Sequence, residues 1–219
     1  MFKSKIQEQS NLVRAFINEP WKHYELRQNA AKFSQLCSSL DVIEDTEEAI
    51  VAYENKEFGE SKSAHYLAVY GFLQAIYVQQ DAVVNLCESL GIQDRISNYS
   101  QLKDIREIRN DTVGHPTKRD RRKGHPVSYH HISRITLDHS GFTLASYFGN
   151  GSPAQFKEIK IPEIIIEQRR YISTIIATII QNLEAEANAH KERFRMEKLT
   201  AIFPETLGYN FEKLFEGIN

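Results

Sequence analysis

The chain is short of several features that would assign it quickly. Only two of its 219 residues are cysteines, Cys37 and Cys87, and neither has a Cys-x-x-Cys or Cys/His neighbour at metal-ligand spacing. Both sit in apolar helical patterns, which predicts buried, reduced thiols. There is no HExxH helix, no phosphate-cradling glycine loop and no Gly-x-Ser-x-Gly elbow. The most familiar signals for zinc hydrolysis, nucleotide binding and acyl transfer are thereby missing. Long hydrophobic runs are missing too. The most apolar stretch, Tyr171 to Leu183, has 13 uncharged residues and includes Ser, Thr, Gln and Asn, too short and too polar to span a bilayer. Charges interrupt the opening MFKSKIQEQSNLVRAF, where a secretory leader needs an apolar core. The expectation is a soluble, cytoplasmic protein with no membrane segment, metal or cofactor.

What is present is the composition of a globular domain: 41% hydrophobic and 26% charged residues in a chain long enough for one sizeable core. The net charge of -2 exerts no general pull on nucleic acid or membrane, but its distribution is uneven. Residues 101–139 carry nine Lys/Arg against five Asp/Glu, a local +4 that leaves -6 elsewhere. A basic island in an acidic body points to an anionic ligand.

The apolar spacing predicts a mainly α protein. Helices are expected at 2–18, closed by Glu19-Pro20, at about 22–40, and at 46–57, opened by Thr46. The strongest, roughly Glu60 to Leu90, has the stripe Tyr66, Val69, Leu73, Ile76, Gln80, Val83, Cys87, Leu90, with steps of three and four. Gln80 interrupts it, flanked by Gln79 and Asp81. Such a polar triplet needs partners on neighbouring helices, or else lines a polar site. A helix over about 100–113 follows. The rhythm then changes to period two across 127–148, around His139-Ser140-Gly141, which predicts a β-hairpin. Pro162 opens a long helix to about Leu199, Ile-rich at first and charged later, and Phe203 to Phe215 reads as a short terminal helix.

The functional information is concentrated in REIRNDTVGHPTKRDRRKGHP, Arg106 to Pro126. Leu102, Ile105, Arg109 and Thr112 form one stripe, so Arg109 takes a slot on the buried face. A guanidinium there pairs with an acid, with Asp81 as one possible partner, or meets an anion. Gly114 suits the left-handed position that ends a helix, and Pro116 forbids continuation. His115 is thus free to swing toward the Arg109 side. A histidine near neutral pKa can move a proton at a 2′-hydroxyl or 5′-oxygen, while an arginine holds phosphate and stabilises its developing charge. The loop cations Lys118, Arg119, Arg121, Arg122 and Lys123 could track a phosphate backbone.

Arg109-Asn110-Asp111-Thr112-Val113-Gly114-His115 resembles the R-x(4–6)-H motif of the HEPN (higher eukaryotes and prokaryotes nucleotide-binding) superfamily. It lies, as in that family, at the end of a helix that follows a long amphipathic helix. The resemblance covers roughly residues 60–183. It implies a HEPN-like helical bundle that dimerises to bring two motifs into one cleft, and a metal-independent endoribonuclease of the kind found in toxin–antitoxin and defence systems. Arg109 and His115 would be catalytic, Asn110 the polar residue that orients them, and Gln80 and Asp81 polar support. RNA, a second copy and an antitoxin or defence protein would be the partners. Thr117 stands where one subgroup has a tyrosine. On this reading 1–59 is a helical extension, 60–199 the bundle with a hairpin inserted at about 127–148, and 200–219 a tail.

Two other readings stay open. One is a non-catalytic HEPN-type module that binds a nucleotide, RNA or a protein; the other is a helical scaffold in which Arg109 is a structural ion pair. His130 and His131 are adjacent in a predicted strand, so they point to opposite faces and do not make a metal pair. His125 and His139 fall in turns and are expected at the surface.

Overall fold

Short polar residues cap three of the α-helices. In the computed structural model, which describes residues 4–93, 98–120 and 126–202, Ser4 and Gln7 form a capping box at the head of α1 (Lys5–Ile17). Pro20 opens α2 (Pro20–Arg27), Asn29 caps α3 (Ala30–Glu54) by accepting from the Lys32 amide, and Ser61 does the same for α4 (Lys62–Ser89) from Ala64. Then come α5 (Ser100–Arg109), a five-residue π turn (Asn110–Gly114), strands β1 (Ser128–Ile132), β2 (Gly141–Phe148) and β3 (Gln155–Lys160), and α6 (Ile161–Ile202). The fold is mainly helical with one small antiparallel sheet, ordered β1-β2-β3.

The expected break between helices at 40–46 does not exist, because α3 is continuous. Thr46 is not a cap. Its hydroxyl donates back to Val42 O at 2.6 Å within the helix, and the cap lies at Asn29 instead. The hairpin forms in the expected place, with Tyr129 opposite Tyr147 and His131 opposite Ala145. A third strand, β3, was not expected. It pairs with β2 from Gly141↔Lys160 to Ser146↔Gln155. Gly141 makes this possible, since a Cβ there would lie 1.9 Å from Ile159 O. The turn before it is tied by Asp138, whose Oδ1 accepts from the Ser140 amide and hydroxyl at 2.7 and 2.6 Å. The Ser140 hydroxyl holds this carboxyl below its ordinary pKa. Nor is the sheet a free-standing insertion: Ile132, Leu137, Phe142, Leu144 and Ile159 are all buried.

The α4 stripe is buried as expected at Val69, Leu73, Ile76, Val83 and Cys87, whereas Cys37 is half-buried. Each such Val, Leu or Ile contributes roughly 1.5–3 kcal/mol when taken from water. Pro162 lies in the first turn of α6, which starts one residue earlier than expected. Its residues to Ile179 belong to one compact unit with the preceding chain; those from Ile180 belong to a second and, as far as Lys198, are mostly exposed, with eight charged residues among 19. The terminal helix expected at 203–215 lies outside the described residues. Among the described residues no helix is long and apolar enough to cross a membrane.

The polar interruption of α4 is satisfied by its neighbours. Gln79 and Gln80 are both fully buried. Gln80 Nε2 donates to Gln168 Oε1 at 2.8 Å, Gln168 Nε2 to Gln79 Oε1 at 2.9 Å, and Gln79 Nε2 to Glu47 Oε2 at 3.3 Å. Glu47, also fully buried, accepts from Arg169 Nε at 2.8 Å, and Arg169 reaches Glu54 at 2.7 Å. Removing one partner of a buried charge costs about 3–5 kcal/mol. Arg169→Ala should therefore lower the urea-unfolding free energy by about 3 kcal/mol; a loss under about 1 kcal/mol would mean that the Glu47 network does not anchor α3, α4 and α6.

Candidate active site at the end of α5

The α4 face next to its buried stripe presents Gln74, Tyr77 and Asp81, at steps of three and four, to α5. Two arginines one turn apart on α5 meet it. Arg106 pairs with Asp81 at 2.8 Å, and Arg109 does not. This corrects the expected Arg109–Asp81 pair: the carboxylate lies one turn earlier along α5, within reach of Arg106. Both guanidinium carbons stack on the same ring, 4.1 Å (Arg106) and 4.2 Å (Arg109) from the centre of Tyr77.

Among the described residues the hydrogen bonds of Arg109 all go to neutral oxygens. Gln74 Oε1 accepts from its Nε at 3.1 Å and its Nη2 at 2.7 Å, and Asn110 Oδ1 accepts from its Nη1 at 3.0 Å. Among the described residues no carboxylate lies within ion-pair distance of it. Its positive charge, half-buried, is thus oriented but not compensated. Gln74 and Tyr77 are the two residues that sequence reasoning missed. Their signal was faint, a polar and an aromatic position flanking an apolar stripe.

The α-helix ends at Arg109 rather than at Val113, and the chain continues as a π turn closed by the His115 amide donating to Asn110 O at 2.8 Å. Such widened turns recur at functional sites. Gly114 is not in the left-handed conformation that the sequence suggested. It is a glycine for space: a Cβ on it would stand 2.8 Å from Arg109 Nη1 and 3.4 Å from Asn110 Oδ1. The guanidinium lies directly against the backbone at 114, the residue before His115. His115 is exposed, and no described residue hydrogen-bonds its side chain.

The segment after His115 is pinned by the sheet. Pro116 O accepts from the His130 amide at 2.7 Å, and Arg119 bridges Ser128 through both backbone groups. Beneath, the Arg119 side chain, only 11% exposed, pairs with Glu107 at 2.7 Å and with Asp111. Arg119 thus departs from the expected phosphate-tracking role, because two carboxylates already hold it. Lys118 is exposed, while Arg121, Arg122, Lys123 and His125 lie outside the described residues. His130 and His131 do point to opposite faces. The ring of His130 is buried between Ser146 (2.8 Å) and Ser128 (2.9 Å), with Asp111 3.3 Å away. His131 stacks on Tyr147 on the other face, and His139 is exposed. A cavity of about 150 Å³ is lined by Asp111, Ser128, His130 and Ser146, and neither Arg109 nor His115 is in its wall. Gln80 and Asp81 are connected to the site through Arg106, at 3.5 and 2.8 Å, rather than through Arg109. Among the described residues no group of three or more His, Cys, Asp or Glu could hold a metal ion.

No protein-family model matches the chain, and no curated protein and no solved structure matches it. The arrangement therefore has to be interpreted from its own chemistry. A planar cation has been oriented, paired with no acid among the described residues, and placed close to the backbone that precedes an exposed imidazole. Gly114→Ala tests the packing behind this. The new methyl should lift the guanidinium off the backbone and break its bonds to Gln74 while overall stability changes by only about 1 kcal/mol. A crystal structure of the variant with Arg109 unmoved would refute the steric role of Gly114.

Proposed function

We propose that this chain is a metal-independent endoribonuclease of the HEPN type, a cytoplasmic homodimer in which Arg109 and His115 are the catalytic pair and Asn110 holds the arginine in place. One observation carries the reading: among the described residues the Arg109 guanidinium hydrogen-bonds only to amide oxygens and pairs with no carboxylate, which leaves its charge open to an incoming anion. A phosphodiester is an anion whose geometry suits a guanidinium fork. In the reaction the 2′-hydroxyl attacks the neighbouring phosphorus and the bond to the 5′-oxygen breaks. His115 moves a proton at one of those oxygens, and Arg109 stabilises the charge that builds on the phosphate. Two copies would supply the second imidazole. A toxin–antitoxin or defence setting, with a partner protein that restrains the enzyme, fits such an activity.

A second reading has its own observation. Within one chain no described residue orients the His115 imidazole, whereas a working general base is usually held by a third group. On that reading the chain binds RNA through Arg109 and does not cut it.

General acid–base groups contribute about 10²–10⁴-fold, so His115→Ala should nearly abolish RNA cleavage. Its fold should survive, because His115 is exposed beyond the helix. Arg109→Ala should do the same and, since it leaves only neutral oxygens unpaired, lower stability by about 1 kcal/mol. Arg109→Lys should not rescue, as an ammonium cannot keep Gln74 and Asn110 and still grip phosphate at two points. Cleavage should persist in EDTA and leave 2′,3′-cyclic phosphate or 3′-phosphate ends, with DNA uncut. Dependence on a divalent metal, or full activity in His115→Ala, overturns the mechanism; binding without cleavage by the wild type selects the second reading.

Assembly is checked separately. Light scattering at high micromolar concentration should give the mass of two chains, and a monomer there would count against a shared cleft.

A further inference from the structure

The sheet has two unlike faces. Phe142, Leu144 and Ile159 are buried on one, together with His130 and Ser128. The alternate positions carry Tyr129, His131, Ala145, Tyr147 and Phe156 on the other, with Thr143 and exposed Glu158 beyond them. Tyr129 and Tyr147 are direct cross-strand partners, 42% and 43% exposed, and Phe156, which pairs with Ala145, is 67% exposed. His131 lies nearly parallel to Tyr147, with ring centres 5.6 Å apart and planes 12° apart. Three strands thus present four rings on one face, and no aliphatic side chain larger than Ala145 stands among them. Aromatic rings are enriched in protein interfaces as well as in strand-binding faces, so the rings alone do not select the occupant.

Charge narrows the choice. By sequence, residues 116–160 hold eight Lys/Arg against three Asp/Glu, a local +5 in a chain of net -2. The bridge between Arg119 and Ser128 is antiparallel, so Lys118 falls beside Tyr129. Alternation sends Arg119 beneath the sheet, to Glu107 and Asp111, and sends exposed Lys118 to the aromatic side. Lys118 is also only three residues from His115, at most about 11 Å along the chain. A cation beside a row of exposed rings is the combination that receives a single strand of nucleic acid, the ammonium meeting phosphate and the rings stacking on bases.

We propose that the Tyr129–His131–Tyr147–Phe156 face, with Lys118 at its edge, is a base-stacking platform for single-stranded RNA leading to the Arg109–His115 site. This rests on the reading that the chain acts on RNA, and it excludes duplex as the preferred ligand, because paired bases offer no free face to the rings.

Binding can be measured without cleavage on a fluorescent 2′-O-methylated oligouridine about 12 nucleotides long, which lacks the attacking hydroxyl and suits a stacking groove. With circular dichroism confirming the fold, Tyr147→Ala and Phe156→Ala should each weaken binding about tenfold or more, and Tyr147→Phe should not. Neither ring variant should change the salt slope, while Lys118→Gln should flatten it. An abasic backbone of the same length should bind wild type more weakly and be indifferent to loss of the rings. Equal binding of abasic and base-bearing strands, preference for duplex, or no binding by wild type overturns the platform. So does loss of dimer in Tyr147→Ala with RNA binding unchanged, which would make the face a protein interface. Ring-dependent binding in a protein that never cleaves RNA would sustain the platform and defeat catalysis; cleavage with ring-independent binding would do the reverse.

Discussion

A fully buried carboxylate, Glu47, is the point on which the arrangement of helices turns. Left alone in the core it would cost several kcal/mol, so its partners, Arg169 on α6 and Gln79 on α4, are required rather than optional. Through Gln79, Gln168 and Gln80 the same hydrogen bonds continue across α4 to the Arg106 side chain. A hydrophobic seam alone tolerates a small rotation of α4 about its axis. A chain of directed bonds to two other helices does not. Fixing that rotation decides which residues α4 shows to α5, and those residues are Gln74, Tyr77 and Asp81.

The two arginines that meet this face then differ in a way that their spacing does not announce. Arg106 finds Asp81 and is neutralised; Arg109 finds Gln74 and is not. The π turn finishes the separation. By spreading five residues over one wide turn it brings the backbone of Gly114 under the Arg109 guanidinium and turns His115 out to solvent. The sheet keeps it there: Pro116 is bonded to β1, and Arg119 is clamped by Asp111 of the π turn and Glu107 of α5. The strands thereby belong to the site's scaffold.

Much of this was legible in the sequence where a periodic pattern or a local rule decides the outcome. The α4 stripe, the hairpin position, Pro162 in a first turn and the opposite directions of His130 and His131 all follow from periods of 3.6 and 2 or from proline's missing amide. Helix breaks were legible where proline forced them, as at Pro20, and not at Asn29, whose cap falls inside the stretch expected as one helix. Thr46 resembled a cap because acids follow it, yet its hydroxyl bonds inside the helix. The strand Gln155–Lys160 was missed because a mostly exposed edge strand has little apolar alternation to display. At the site, Arg109 and His115 stood out by residue type. Their setting did not, because it depends on a turn of unusual width and on contacts between α4 and α5 that no local pattern encodes. The choice of Arg106 over Arg109 as the partner of Asp81 is of that kind.

The difference between the two arginines bears on what the site can select. Tyr77 lies under both guanidinium groups, so its ring attracts both charges, and it shares with Arg106 a cation already matched by Asp81. An anion approaching this face therefore meets one net positive charge, placed by Gln74 and Asn110 before the anion arrives. Preorganisation of that sort avoids the entropy of ordering a long side chain during binding. It also limits the geometry on offer, since Nε, Nη1 and Nη2 already donate to protein oxygens and only the remaining N–H bonds point elsewhere. A ligand that needs the whole fork is poorly served. A tetrahedral phosphodiester, the ligand proposed above, needs only one or two bonds from a fixed direction and carries a single negative charge.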